Sequence, residues 1–380
     1  MHNPNLDSRG RSPELWDKLG SKCAWAAISL MVAVGFLLRA LPLLQYPRVG
    51  GDPFLHYKYS MALLNGSLSV PVEAGTTGTM IELYYPPLFH LVSLLLFIAL
   101  PRVDPYALMK ILASAADALV LVPIFLIVRR VSGSNLGGIL AAYALLATRN
   151  DYQMLSWGGY ANIAGLLLIT SLVYAVMTER LVLSAVLSVA LALTHHLSTI
   201  FAIAVLGPYF AYFVWSKRRI PRSLIGVIVG GTVAFLVFYL FAFQSMFYYY
   251  SHFLPVYNQS LYMTPYILEL VGPLLLTSAA LAVVYIYARR GGNFLRENAI
   301  LLFWAVIPFL LTYAYLFGAQ WHGVRWIAFI PEPLAVWTGI GLGGLVRKKY
   351  VIIIFILLLS FQLFYTMQGY QLDILNNIVH

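Results

Sequence analysis

Long apolar runs separated by short polar punctuation dominate the chain. Runs of spanning length read as Cys23 to Leu44, Tyr106 to Val128, Leu136 to Thr148, Trp157 to Met177, Leu181 to His195, Thr199 to Trp215, Leu224 to Phe243, Tyr266 to Ala288, Ala299 to Phe317, Trp326 to Val346 and Tyr350 to Met367. A helix of roughly twenty apolar residues crosses the hydrocarbon core, so the pattern predicts an all-α polytopic membrane protein, a bundle of about eleven transmembrane helices. Composition excludes a water-soluble domain: 61% of residues are hydrophobic and 10% charged, with a mean hydropathy of +0.81. Basic residues ahead of the first run, Arg9, Arg11, Lys18 and Lys22, read as a cytoplasmic signal-anchor segment over residues 1–22.

Pro86 to Leu100, an apolar run opened by Pro86-Pro87, decides which side every later loop faces. If it does not cross, Arg48, Lys58, Arg102, Lys110, Arg149 and Arg325 fall outside and Arg39 stays within the first span. The other 17 of the 24 Lys and Arg are then inside. Crossing would leave 8 inside and 15 outside, against the positive-inside rule. The run is therefore expected on the outer face. Residues 45–105 become a first outer loop with two short amphipathic helices, one after Pro53 and one after Pro87, separated by a Gly/Thr-rich loop from Glu73 to Thr79. The N-terminus is expected in the cytoplasm and the C-terminus outside, with no soluble C-terminal domain and 1–380 forming one domain. The net charge of +10 follows from the same rule, and no basic-aromatic nucleic-acid surface accompanies it. The single cysteine, Cys23, excludes an intramolecular disulfide and a cysteine metal cluster.

Polar chemistry gathers in the outer loops. In Gly50-Gly51-Asp52-Pro53-Phe54-Leu55-His56-Tyr57-Lys58-Tyr59 the two glycines and Pro53 set a turn, and Asp52 reads as the cap of the helix that Pro53 begins. His56 lies one helical turn behind Asp52, and a carboxylate beside an imidazole suits general-base or metal work. Asp117, in the middle of the second span, requires a partner, for which Arg39 is the nearest cation. Glu332 lies between Pro331 and Pro333, where two prolines free backbone carbonyls and mark a kink beside a cavity. Arg325, in Trp321-His322-Gly323-Val324-Arg325-Trp326, reads either as a phosphate clamp or as an interface anchor. His195-His196 reads either as an interface pair or as part of the site, and Glu82 either as an interfacial carboxylate or as a ligand.

These residues resemble the GT-C membrane glycosyltransferases, and most closely the transmembrane part of the oligosaccharyltransferase catalytic subunit. Gly51-Asp52-Pro53-Phe54-Leu55-His56-Tyr57-Lys58 follows that family's acidic motif in the first outer loop. Tyr85-Pro86-Pro87-Leu88-Phe89 follows its Tyr-Pro-Pro helix, and Arg325-Trp326 to Pro333-Leu334-Ala335 follows its late Arg-aromatic span. The resemblance implies transfer of a sugar from a polyprenyl-phosphate-linked donor, such as a dolichol phosphate sugar, at the outer face of the plasma membrane, with membrane lipids around it and an unidentified acceptor. It implies an inverting reaction with Asp52 as base or metal ligand. The expected catalytic set is Asp52, His56 and Glu332. Expected substrate contacts are Arg325, His322, Tyr57, Glu82, His195, His196, Tyr160 and Asn162. A divalent metal, Mg²⁺ or Mn²⁺, would take Asp52 and His56 as ligands, but the family's second acidic pair falls here on Tyr160-Ala161-Asn162. The Trp-Trp-Asp-Tyr-Gly acceptor motif is also missing, so recognition of an Asn-x-Ser/Thr peptide has no support. Alternative readings are a transporter or flippase of a lipid-linked or anionic solute, against which no inverted halves are found, and a catalytically dead scaffold of the same fold.

Overall fold

The structure, a computed structural model, describes residues 20–74, 79–253, 263–318, 323–345 and 348–378. The first span is α1 (Ser21–Leu44), and the segment after it returns along the same end of the bundle. It holds α2 (Asp52–Leu64), an antiparallel hairpin of β1 (Ser69–Ala74) and β2 (Thr79–Tyr84), and α3 (Leu88–Ala99). The strands pair from Ser69 with Tyr84 to Ala74 with Thr79. The stretch read as loop from Glu73 to Thr79 is thus the tip of a hairpin, with residues 75–78 outside the described ones.

Two helices, α4 (Pro105–Leu119) and α5 (Leu121–Ser132), run on as one span. Asp104 starts it: its carboxylate accepts from the Ala107 amide at 2.9 Å, with Pro105 in the first turn. Next come α6 (Asn135–Leu146), α7 (Asn150–Trp157), α8 (Tyr160–Met177), α9 (Leu181–Thr194) and α10 (His196–Lys217). Then α11 (Arg222–Ala234) passes through a π turn, Phe235–Tyr239, into α12 (Leu240–Phe253). The chain finishes with α13 (Met263–Leu270), α14 (Pro273–Glu297), α15 (Ala299–Thr312), α16 (Gly323–Ile327), α17 (Pro331–Gly344) and α18 (Lys349–Asn376).

The fold class is as expected, whereas the count of eleven spans is not confirmed. Among the described residues eight helices are long and apolar enough to cross a membrane. The expected spans Leu136 to Thr148, Leu181 to His195 and Ala299 to Phe317 correspond to the shorter helices Asn135–Leu146, Leu181–Thr194 and Ala299–Thr312. Pro86 to Leu100 forms only the 12-residue α3. The expected span from Tyr266 is broken: Gly272, at φ +88°, ends α13, and Pro273 restarts the helix as α14.

The bundle is organised around the α16–α17 span, whose most apolar window is 89% buried, against 22% for α14 and α18. Small residues make that burial feasible. A Cβ on Gly137 of α6 would lie 2.6 Å from the Gly339 carbonyl of α17, so two backbones meet where any side chain would separate them. Arg39, Asp117 and Glu332 are at most 1% exposed, and the Arg39 Nε–Asp117 ion pair forms as anticipated. Tyr152 lies under the guanidinium, 4.6 Å from its carbon.

Candidate functional site

Two turns lock together to place Asp52. Gly50 has φ +82° and a Cβ there would come 2.3 Å from the Trp157 backbone. Gly158 has φ +94° and a Cβ there would come 2.2 Å from Pro53 Cδ. Each turn therefore accepts only glycine at its point of contact with the other. The end of α18 braces the arrangement, since the Gly50 amide donates to the Asn377 carbonyl at 2.7 Å. Helix α2 then begins at Asp52 with Gly51 as N-cap and no side-chain capping hydrogen bond. This corrects the reading of Asp52 as a cap: Gly51 occupies that position, and the carboxylate is left to line a cavity.

That cavity has a volume of about 1470 Å³. Its polar end is formed by Asp52, His56, Asn162, His195, His196 and Arg325, with Trp157 beside them. The remainder is lined by apolar side chains of α9, α10 and α11, among them Leu206, Phe210 and Leu224. Ile200, Ile203 and Ile228 line it while staying 46%, 68% and 53% exposed, so it is open at the side between α10 and α11.

Electrostatics separates the two charged side chains of the polar end. Burial pushes the Asp52 carboxyl above its ordinary range, and the Arg325 guanidinium partly offsets this. Arg325 lies 4.4 Å over the Trp157 ring and forms no ion pair with a carboxylate among the described residues. Burial lowers His56 to about 4, opposed by the Gly158 backbone. Its Nδ1 is 2.9 Å from Nε2 of His90, whose Nδ1 is 3.2 Å from the Pro86 carbonyl. His56 is thus fixed through α3 as well as by its own helix.

His195 caps α10: its Nδ1 accepts from the Ser198 amide at 3.3 Å. The Ser198 hydroxyl lies 2.9 Å from the same nitrogen and 3.2 Å from Asn162 Oδ1, with one hydrogen to give to either. Tyr160 is buried with its ring 6.2 Å from that of His56, behind the cavity wall. Tyr57 stacks on Tyr106 at 5.5 Å and does not line the cavity. Glu82 is in the hairpin, where its carboxylate accepts from the Ser69 hydroxyl at 2.7 Å. Glu332 lies in the core with Arg39 and Asp117, away from the cavity lining. His322 lies outside the described residues.

The sequence reading passed over Asp151, Ser198 and Trp157. Asp151 is 1% exposed, and burial together with the charge of Asp117 pushes its carboxyl up to about 8. Trp157 carries a signal in sequence, the Trp-Gly-Gly run, which reads as a tight approach of backbone to a neighbour. As for a metal, no group of three or more His, Cys, Asp or Glu among the described residues is arranged to hold one. Tyr160-Ala161-Asn162 supplies no carboxylate where the family pattern has two. Among the described residues one carboxylate, Asp52, lines the cavity, which does not fit the multi-carboxylate Mg²⁺ or Mn²⁺ site that the resemblance implies.

No family model and no curated protein sequence matches the chain. Solved structures do. ArnT from Cupriavidus metallidurans bound to undecaprenyl phosphate aligns at a TM-score of 0.56 and 15% identity, covering 83% of this chain and 60% of that one. The oligosaccharyltransferase of Archaeoglobus fulgidus, tethered to an acceptor peptide containing the NVT sequon, aligns at 0.60 and 12% identity, covering 93% and 55%. AglB from the same organism, in complex with an inhibitory peptide and a dolichol-phosphate, aligns at 0.50 and 13% identity, covering 94% and 56%. The chain thus spans 55% to 60% of the length of these structures. The likeness is one of fold: the chain has the membrane fold of GT-C glycosyltransferases, as its motifs anticipated.

Proposed function

We propose that the chain is a membrane glycosyltransferase that moves a sugar from a polyprenyl-phosphate-linked donor to an acceptor hydroxyl or amide, with inversion. The observation that carries this reading is a single cavity with Asp52 and Arg325 at its polar end and an apolar remainder open at the side between α10 and α11. An isoprenoid tail fits the apolar part, its phosphate fits the polar end, and the sugar then lies beside Asp52. Structures of the same fold bound to undecaprenyl phosphate and dolichol-phosphate support the choice of lipid.

Asp52 is the general base. Its carboxylate takes the acceptor proton as the acceptor atom bonds to the anomeric carbon from the face opposite the phosphate. The bond from that carbon to the phosphate oxygen breaks with its electron pair passing to the oxygen. Arg325 stabilises the charge that develops there. A base and a leaving group on opposite faces of the sugar give inversion. No step is routed through a metal. The Lys and Arg distribution orients the site to the extracytoplasmic face, and the plasma membrane is the proposed location.

Radiolabelled transfer or donor cleavage by the purified full chain, assayed against a panel of polyprenyl-phosphate sugars, tests the reading. Asp52→Asn should lower the rate about 10²- to 10⁴-fold, the usual contribution of a positioned base. The variant should stay folded, because Asp52 makes no capping hydrogen bond. Full activity in Asp52→Asn would overturn the assignment.

A further inference from the structure

Asp52 and Arg325 are the charged side chains in the cavity lining. Cations near that end lie against other groups: Arg39 on Asp117, Arg149 on Asp373 and Glu269, Arg48 over the Tyr106 ring and Lys58 over the Phe54 ring. Lys110 donates to the Leu43, Tyr46 and Pro47 carbonyls at the end of α1. Of the stretches outside the described residues, 75–78, 254–262, 319–322 and 379–380 contain no Lys or Arg, and 1–19 and 346–347 contain Arg9, Arg11, Lys18 and Arg347. No three metal-binding side chains come together among the described residues to add positive charge. Among the described residues, a headgroup at the polar end therefore meets one full cation and one carboxyl.

One further donor at that end, His195, has a fixed form. His195 Nδ1 accepts the Ser198 amide at the start of α10, with the Ser198 hydroxyl 2.9 Å from the same nitrogen. An Nδ1 that accepts carries no hydrogen, so the neutral ring holds its proton on Nε2. Ser198 is set by Asn162, and Gly165 leaves the space, since a Cβ there would fall 2.3 Å from the Ser198 hydroxyl. The ring's hydrogen bonds among the described residues are all at Nδ1, and the ring lines the cavity. The cavity is offered a neutral N–H beside the Arg325 guanidinium, with no second positive charge.

On the glycosyltransferase reading above, we infer that the donor carries its sugar on a single phosphate, a phosphodiester held by Arg325 and by His195 Nε2–H, and not on a diphosphate. A phosphodiester brings one negative charge, which Arg325 balances. A diphosphate brings at least one more into a partly buried space that already holds Asp52, with no second cation in the lining and no three-ligand metal group among the described residues to meet it. An uncompensated like charge at such a site discriminates strongly.

The test uses the purified full chain in nanodiscs of zwitterionic lipid with EDTA at about pH 5, where a phosphate monoester carries mainly one charge, and measures binding of undecaprenyl phosphate, undecaprenyl diphosphate and undecaprenol. Undecaprenyl phosphate should bind roughly tenfold or more tightly than the diphosphate. His195→Asn keeps a helix cap but removes the ring N–H, and should weaken phosphate binding several-fold without lowering the unfolding temperature. His195→Gln, whose longer side chain can bring an amide N–H to about the place of Nε2 where the shorter Asn cannot, should restore most of it. Diphosphate binding equal to or tighter than phosphate would overturn the inference and leave the glycosyltransferase reading standing. Undecaprenol binding as tightly as both phosphates would overturn that reading, and the inference with it. Unchanged phosphate affinity in His195→Asn would remove His195 from the headgroup site.

Discussion

Gly158→Ala tests the interlocked turns that place Asp52. The substitution has two separable effects. At φ +94° an alanine is strained whatever the space around it, at about 1–3 kcal/mol. Its Cβ would also fall 2.2 Å from Pro53 Cδ, where ordinary contact begins at 3.4 Å, so Pro53 must retreat by about 1.2 Å. Overpacking of that kind costs a further 1–3 kcal/mol or so. Pro53 adjoins Asp52 in the first turn of α2, so the base moves with it. A displacement near 1 Å at a reacting group lowers rate about 10²-fold.

Gly66→Ala is the matched control. Gly66 also has positive φ, +74°, but a Cβ there meets nothing within 4 Å. It carries the backbone strain and not the collision. Scanning fluorimetry in one detergent at one scan rate should show Gly158→Ala destabilised clearly more than Gly66→Ala. Transfer activity, assayed below both unfolding temperatures, should fall about 10²-fold in the first and little in the second. Equal unfolding temperatures and equal activities for the two variants would show that Trp157-Gly158 does not position α2.

Three further outcomes are expected. The Asp151 carboxyl, raised by burial to about 8 beside Asp117, holds a proton that the unfolded chain gives up near pH 4; its contribution to stability is therefore complete below pH 4 and falls as pH rises toward 8, by up to about 1.4 kcal/mol per pH unit. Asp151→Asn should flatten that slope, and parallel pH–stability curves for the two proteins would refute it. Replacing Arg39 by Met or Asp117 by Leu alone should destabilise by about 3–5 kcal/mol, because each leaves a buried charge alone; the double replacement should cost less than the two single ones together, and simple additivity would count against the pair. For orientation, in a Cys23→Ser background a cysteine at Arg102 should react with an impermeant thiol reagent in intact cells and one at Arg130 should not; the opposite pattern would invert the proposed topology.

What the sequence disclosed depended on how local the cause was. Hydrophobic runs near twenty residues need nothing beyond themselves to be read as spans, and eight of them are long, apolar helices. The Arg39–Asp117 pair was also legible, since a carboxyl at the middle of an apolar run demands a partner and few cations are in reach. The break at Gly272-Pro273 was harder, because apolar residues continue through it and hide a turn inside an apparent span. The β1–β2 pairing depends on a register across the turn, which a Gly/Thr-rich stretch does not announce. Asp151 was passed over because a polar residue in a polar stretch looks solvated; only the packing of α7 against α4 and α1 shows that it is dry. His195-His196 reads equally well as an interface pair, and the tautomer of His195 follows only from contacts with Ser198 and, through it, Asn162. The two Gly-Gly pairs give the sharpest case. Gly50-Gly51 before Asp-Pro looks like an ordinary turn, and Gly158-Gly159 after Trp157 looks like another. Gly50 meets Trp157 and Gly158 meets Pro53, so the glycine requirement at each turn is imposed by the other, 108 positions away from Gly50 to Gly158. The position of Asp52 is a property of that contact, which neither motif contains by itself.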